Sequence, residues 1–194
     1  MSRPTVEITR TTKETDISLS LSTDDLARDI DIPVKFLAHM LDAFAAHGRF
    51  GLRVRATGDT EVDQHHLVED LGIVLGRAIR DLVGGGAGIE RAGWCRMPMD
   101  EALADIALDC CGRGTLVKRI RLRDRWTGDL DTACLREFWL GVVRESRMAL
   151  HIDLVRADND HHAIEACFKG FGRALRAALM PVESNEPIST KGAL

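Results

Sequence analysis

The chain of 194 residues has no Cys-x-x-Cys spacing, no Gly-Lys-Ser or Gly-Lys-Thr, and no apolar run approaching the ~20 residues that a membrane span needs. Its cysteines, Cys95, Cys110, Cys111, Cys134 and Cys167, are odd in number, so neither a disulfide framework nor a thiolate zinc site is expected. They read as reduced core thiols. Without a P-loop lysine, Gly84-Gly85-Gly86 reads as a linker rather than a phosphate cradle. The N-terminus lacks the apolar region of a secretory signal, and the expectation is a cytoplasmic protein with no membrane partner. A net charge of -4 leaves no basic surplus, so no nucleic-acid partner is expected either.

What is present is a repeated phrase. His65-His-Leu-Val-Glu-Asp-Leu-Gly-Ile-Val-Leu-Gly-Arg-Ala-Ile-Arg80 and His161-His-Ala-Ile-Glu-Ala-Cys-Phe-Lys-Gly-Phe-Gly-Arg-Ala-Leu-Arg176 agree without a gap at His, His, Glu, Gly, Arg, Ala and Arg. That is an internal duplication. Positions four apart share a helix face, so His65 with Glu69 and His161 with Glu165 can each grip one ion. His66 and His162 lie ~100° round the axis and serve a different ion. One ion is therefore expected to take His65 and Glu69 with His162, the other His161 and Glu165 with His66, and His39 and His151 to complete the sets, one each. Imidazole and carboxylate without thiolate suit Mn, Fe, Co or Zn, and affinity order alone does not choose among them.

Hydrophobic periodicity outlines the two halves, about 4–86 and 87–181, followed by a tail 182–194. Val6 to Leu21 alternates as strands with Ile17, Leu19 and Leu21 inward, and Ser22 to Ile32 reads as irregular. A helix is expected from Val34 to His47, with Gly48 as its left-handed stop and a C-terminal dipole favouring protonated His47. A strand at Phe50–Ala56 then leads into the first metal phrase, whose helix runs to about Val83. In the second half, Ala102–Leu108 and Thr115–Leu122 read as strands around a turn at Cys111–Gly114. A helix through Leu135, Phe138, Trp139, Val142 and Val143 follows, then a strand Met148–Val155 that turns His151 outward. The last helix stops before Pro181, and the aperiodic tail beyond it reads as disordered.

The phrases Thr12-Lys-Glu-Thr-Asp-Ile-Ser-Leu19, His39-Met-Leu-Asp42, His47-Gly48, His65-His-Leu-Val-Glu-Asp70, Pro98-Met-Asp-Glu-Ala-Leu103, Leu150-His-Ile152, Asn159-Asp-His-His-Ala-Ile-Glu-Ala166, Phe168-Lys169 and Ser189-Thr-Lys-Gly192 carry a resemblance. Over nearly its whole length the sequence resembles the imidazoleglycerol-phosphate dehydratase family of histidine biosynthesis. The resemblance implies a single α+β domain of two duplicated halves, each a four-stranded sheet with two helices, similar to ribosomal protein S5 domain 2. It implies a lyase that converts imidazoleglycerol phosphate to imidazoleacetol phosphate. It also implies two manganese ions per active site and a homo-oligomer with sites between subunits, a 24-mer built from trimers.

By the same resemblance Glu14 is the candidate acid–base carboxylate, with Glu165 beside the metal as the second catalytic candidate. Arg91, Lys169 and Lys191 are the candidate phosphate ligands, with Arg125 and Arg113 as weaker ones and His47 and Ser189 assisting. The chain departs from the family pattern at Leu37-Ala38, Ala43, Cys111 and Trp126. Those departures keep two other readings open: a hydro-lyase or dinuclear phosphate-ester hydrolase acting on another small phosphate, and a catalytically silent shell-forming relative.

Overall fold

The computed structural model describes residues 5–184 and 186–189. The first half begins with two alternating segments, Val6–Thr11 (β1) and Thr15–Ser22 (β2), which pair antiparallel and bury Ile17, Leu19 and Leu21. Arg28–Asp31 (β3), Lys35–Gly48 (α1), Gly51–Gly58 (β4) and His65–Val83 (α2) follow, and the sheet order is β1-β2-β4-β3. The second half repeats this with Ala92–Met99 (β5), Ala102–Asp109 (β6) and Thr115–Arg119 (β7). After a small ribbon, Trp126–Thr127 (β8) with Leu130–Asp131 (β9), come Leu135–Ser146 (α3), Ala149–Arg156 (β10) and Asp160–Ala178 (α4). Its order, β5-β6-β10-β7, is the first sheet's order again, so the duplication legible in the helices extends to both sheets.

The halves are joined crosswise. Each long helix lies on its own sheet, α2 on β1 and β2 and α4 on β5 and β6, while α1 packs on α4 and α2 on α3. One apolar core therefore runs continuously from Ile17 to Leu179. Its centre is an aromatic seam in which Phe44 stacks on Phe171 at 5.2 Å and Trp139 meets Phe168 at 4.8 Å and Phe171 at 5.4 Å. Such ring pairs contribute ~0.5–1.5 kcal/mol each beyond the area they bury. The duplicated glycines make the crossings possible: a Cβ at Gly172 would overlap the Phe44 carbonyl oxygen, and one at Gly76 would sit 2.6 Å from that of Val142.

Several local expectations are corrected. Ser22 to Ile32 is not wholly irregular, because β3 runs parallel to β4. Only Ile30 of β3 is even half-buried, and the strand is held at the sheet edge by charge pairs such as Arg55–Asp29, so no alternating apolar signal marks it. Strand β5 was also hidden, since Pro98 interrupts it in a position tolerated only at an edge. The strands flanking Cys111–Gly114 are not sheet neighbours; β7 pairs in parallel with β10. The left-handed residue after α1 is Arg49, with φ of 54°, and not Gly48. Gly48 is instead required for packing, since a Cβ there would lie 2.8 Å from the carbonyl oxygen of Gly172. The described part of the tail is anchored rather than loose, with bridges pairing Ala87 with Pro187 and Ile89 with Pro181.

Candidate metal centre

The N-terminal ends of α1, α2 and α4 are drawn together by the loop around the small ribbon. Asp129 accepts hydrogen bonds from the Lys35 and Phe36 amides at 2.7 and 2.8 Å, capping α1 from a distance. Gln64 donates to the Asp129 carbonyl at 2.6 Å and accepts from the Asp131 amide at 3.0 Å, and Asp160 accepts from the Arg123 and Asp124 amides at 2.8 Å. Local caps complete both metal phrases. Asp63 accepts from the His65 amide at 2.6 Å and Asn159 from the His161 amide at 2.8 Å, so the paired histidines open the first turn of each helix.

In this frame His39 of α1 reaches the α4 pair. His161 Nε2 lies 3.3 Å and His39 Nε2 3.9 Å from Oε2 of Glu165, and one ligand atom from each of the three falls within 4.8 Å of the others. Phe36 supports the His161 ring edge-on at 5.0 Å. Glu165 is buried, which opposes its ionisation. A hydrogen bond and the charge of Lys169, with the fields of His39 and His161, outweigh that and hold its carboxyl below the usual range. Two imidazoles and an ionised carboxylate converging without a thiol fit a hard or borderline divalent ion, manganese among them.

The α2 copy is built alike but stands apart. His65 Nε2 is 3.5 Å from Glu69, whose other oxygen faces Arg144 at 3.7 Å. Among the described residues no third ligand joins this pair within the chain, and the group of three is His39, His161 and Glu165. His151 is exposed on the outer face of the second sheet, in register with Ala107 and Val117, on the side away from the helices.

The two inner histidines each meet a carboxylate through Nδ1. His66 lies 3.1 Å from Asp59, and His162 lies 2.8 Å from Glu101. These bonds raise the pKa of both rings, while the His162 bond, with backbone amides, lowers Glu101 to about 2. Asp100 approaches Nε2 of His162 only to 3.7 Å. Glu14 sits in the β1–β2 turn, with its carboxylate 3.9 Å from His66 Nδ1, beyond hydrogen-bond reach. Its backbone is fixed: Thr12 Oγ1 accepts from the Glu14 amide at 3.1 Å, and the Glu14 carbonyl accepts from the Asp59 amide at 3.1 Å. Buried Asp70 ties this turn to α2, taking the Thr15 hydroxyl at 2.5 Å and Arg10 at 2.9 Å.

The expected phosphate ligands are spread out. Lys169 faces Glu165, and Arg91 pairs with Asp109 at 2.8 Å while donating to the carbonyl of Ile188, which brings the tail and adjacent Ser189 to that arginine. Arg125 pairs with Asp131 at 2.9 Å beside half-exposed Trp126. His47 is not favoured as imidazolium; partial burial, then the charges of Lys169 and Arg173, lower its pKa and override the helix dipole. Lys191 lies outside the described residues. Asp59, Glu101 and Arg144 were missed by sequence reasoning. Glu101 had a signal in hand, since it directly precedes β6 as Glu14 directly precedes β2.

Residues 32–175 match the family model described as imidazoleglycerol-phosphate dehydratase. The chain belongs to the imidazoleglycerol-phosphate dehydratase family. It is 44% identical over 191 residues to the imidazoleglycerol-phosphate dehydratase of Prochlorococcus marinus, covering 97% of this chain and 95% of that one. The dehydratase of Geobacter sulfurreducens is 46% identical over 189 residues, covering 96% and 97%. Solved dehydratase structures from Staphylococcus aureus and Pyrococcus furiosus superpose with a TM-score of 0.84 at 37% identity, covering 92% and 96% of this chain and all of theirs. The two four-stranded sheets with their helices are thus the architecture of this dehydratase family.

Proposed function

We propose that this chain eliminates water from imidazoleglycerol phosphate, giving imidazoleacetol phosphate, as the dehydratase step of histidine biosynthesis. The observation that carries this reading is the convergence of His39, His161 and Glu165 in a chain matching dehydratase relatives nearly end to end. The reading takes the chain as one dehydratase domain acting in the cytoplasm; no helix among the described residues is long and apolar enough to cross a membrane.

Two manganese ions serve each active site in this proposal. His65 and Glu69 with His162 would hold one, and His161 and Glu165 with His66 the other, His39 and His151 completing the sets. That His65, Glu69 and His151 stand apart from the rest within one chain supports sites formed between subunits of a homo-oligomer, for which the family resemblance implies a 24-mer built from trimers. When bound, the metal supplies Lewis-acid stabilisation of the negative charge that develops on the substrate's imidazole.

The chain's own residues do the rest. Glu14, exposed and held by its backbone alone, takes the poorly acidic C–H proton, and a protonated group returns one to the hydroxyl departing from the neighbouring carbon as water. The enol so formed relaxes to the ketone of the product. Glu165 completes the catalytic pair while holding metal. His47, Arg91, Lys169, Ser189, Lys191 and Arg125 meet the phosphate, and the tail's contact with Arg91 supports a shared role for Arg91 and Ser189.

A histidine-requiring strain that lacks its own imidazoleglycerol-phosphate dehydratase tests this directly. The chain is expected to restore growth without histidine, and its Glu14→Gln variant is not. Failure of the wild-type chain, when it accumulates folded and metal-loaded, would overturn the proposal.

A further inference from the structure

The repeated scaffold does not treat its two inner histidines symmetrically, and the asymmetry separates two carboxylate roles. His66 Nδ1 is 3.1 and 3.3 Å from the two oxygens of Asp59, the first residue after β4. By sheet register the corresponding residue after β10 is Asp158, whose carboxylate accepts from Arg123 at 3.1 Å and does not reach His162. His162 Nδ1 is instead 2.8 Å from Glu101, the residue directly before β6. Its counterpart before β2 is Glu14, which stays 3.9 Å from His66 Nδ1 and makes no hydrogen bond to it.

We propose that Asp59 and Glu101 are positioning residues that fix the tautomers of His66 and His162, and that this division of labour is what leaves Glu14 free for proton transfer. An imidazole that donates Nδ1–H to a carboxylate carries its lone pair on Nε2, the form a divalent ion needs. Such outer partners orient ligating histidines and typically govern metal affinity or activity by ~10–100-fold. In the first half Asp59 satisfies His66, so the hairpin carboxylate is released for chemistry. In the second half Asp158 pairs with Arg123 and Asp160 with the Arg123 and Asp124 amides, neither with His162, so Glu101 is committed.

Glu101 is suited to a fixed role. Its Oε1 accepts the Asp158 and Asn159 amides at 3.2 and 3.0 Å while Oε2 faces His162, and Asn159 in turn caps α4 at His161. Glu14 is held only through its backbone and keeps an open carboxylate. The inference rests on the proposal that His66 and His162 are metal ligands, and it assigns duties to Asp59 and Glu101 that the metal reading alone does not.

Two substitutions make the test. In Glu101→Gln the carbonyl oxygen stays with the Asp158 and Asn159 amides, so an N–H faces His162 Nδ1 and favours the opposite tautomer with Nε2 protonated, while Asp59→Ala removes the acceptor from His66. Manganese titration of the full assembled chain, followed by the loss of the free-ion paramagnetic resonance signal, is expected to show ~10–100-fold weaker binding for each of these variants. Glu14→Gln is expected to bind within about twofold of wild type while losing turnover. The dehydratase activity of Glu101→Gln should return as manganese is raised, a rescue that a collapsed site would not give. Wild-type manganese affinity in both folded variants, or equal weakening by Glu14→Gln, would overturn the proposal. If Glu101→Gln does not fold, Asp59→Ala, which removes a side chain that bonds His66 and not the backbone of α4, decides alone. The titration uses no substrate, so a wrong reading of the reaction and a wrong reading of these carboxylates remain distinguishable.

Discussion

Lys169 Nζ lies 2.7 Å from Oε1 of Glu165, one turn earlier on α4, while the other oxygen of Glu165 faces His161 at 3.3 Å. The lysine thus keeps a buried carboxylate ionised and turned toward the histidines. The family resemblance implies a phosphate contact for it; the structure gives it a partner in the metal cluster as well. Lys169→Gln is expected to weaken manganese binding by ~10-fold or more in equilibrium dialysis, in addition to any rise in KM for the phosphate substrate. An unchanged metal affinity would reduce Lys169 to a phosphate contact.

The helix crossings set a second expectation. Gly172→Ala forces a methyl group into the Phe44 carbonyl, and Gly76→Ala does so at Val142, so each should cost ~1–3 kcal/mol or more, read as a lowered Tm or denaturant midpoint. Gly85→Ala, with nothing within 4 Å of the added carbon, should stay within ~0.5 kcal/mol. Comparable losses at all three positions would mean that backbone freedom, and not the close approach of helices, is what these glycines supply.

Thiol chemistry follows burial. Burial pushes Cys167 up to about 12 and Cys134 to about 11, and it also raises half-buried Cys95. Alkylation of the native protein at neutral pH should be slow throughout, should reach Cys95 before Cys167, and should label Cys167 only with global unfolding. Mass mapping of the modified cysteines checks the order, and early labelling at Cys167 would contradict this core.

For the metal-free protein the Glu101–His162 pair gives a pH signature. Glu101 is held at about 2 against an ordinary 4.5, so its stabilising share is present above 4.5 and fades as pH falls toward 2. His162 is raised above 6.5, so its share is present below 6.5 and fades as pH rises through the raised value. The Tm gap between wild type and Glu101→Gln should therefore be widest between about pH 4.5 and 6.5 and narrow on both sides. A gap independent of pH would show that the pair contributes nothing through charge.

The sequence made the long helices legible because their apolar period, their caps and the duplicated histidine phrase all coincide. Strands β3 and β5 were obscured for a physical reason: an edge strand with charge on one face or a proline in it lacks the alternation that marks a strand buried on one side. The i,i+4 spacing of His161 and Glu165 is a helical property and could be read directly, but the approach of His39 depends on α1 crossing α4 at Gly48 and Gly172. Contacts of that kind have no local signature. Asp59 was invisible for the same reason, being an ordinary turn acid until the fold brings it to the His66 ring, and Glu101 was marked only by its place before β6, which matches that of Glu14 before β2.

The most direct measurement of the central claim is turnover of imidazoleglycerol phosphate by the purified chain, stripped of metal and then reloaded with manganese, with the product followed by mass. The account predicts no product from the stripped protein and, on reloading, a phosphorylated ketone lighter than the substrate by one water. A folded, manganese-loaded chain that leaves the substrate unchanged, or releases inorganic phosphate from it instead, would contradict the account.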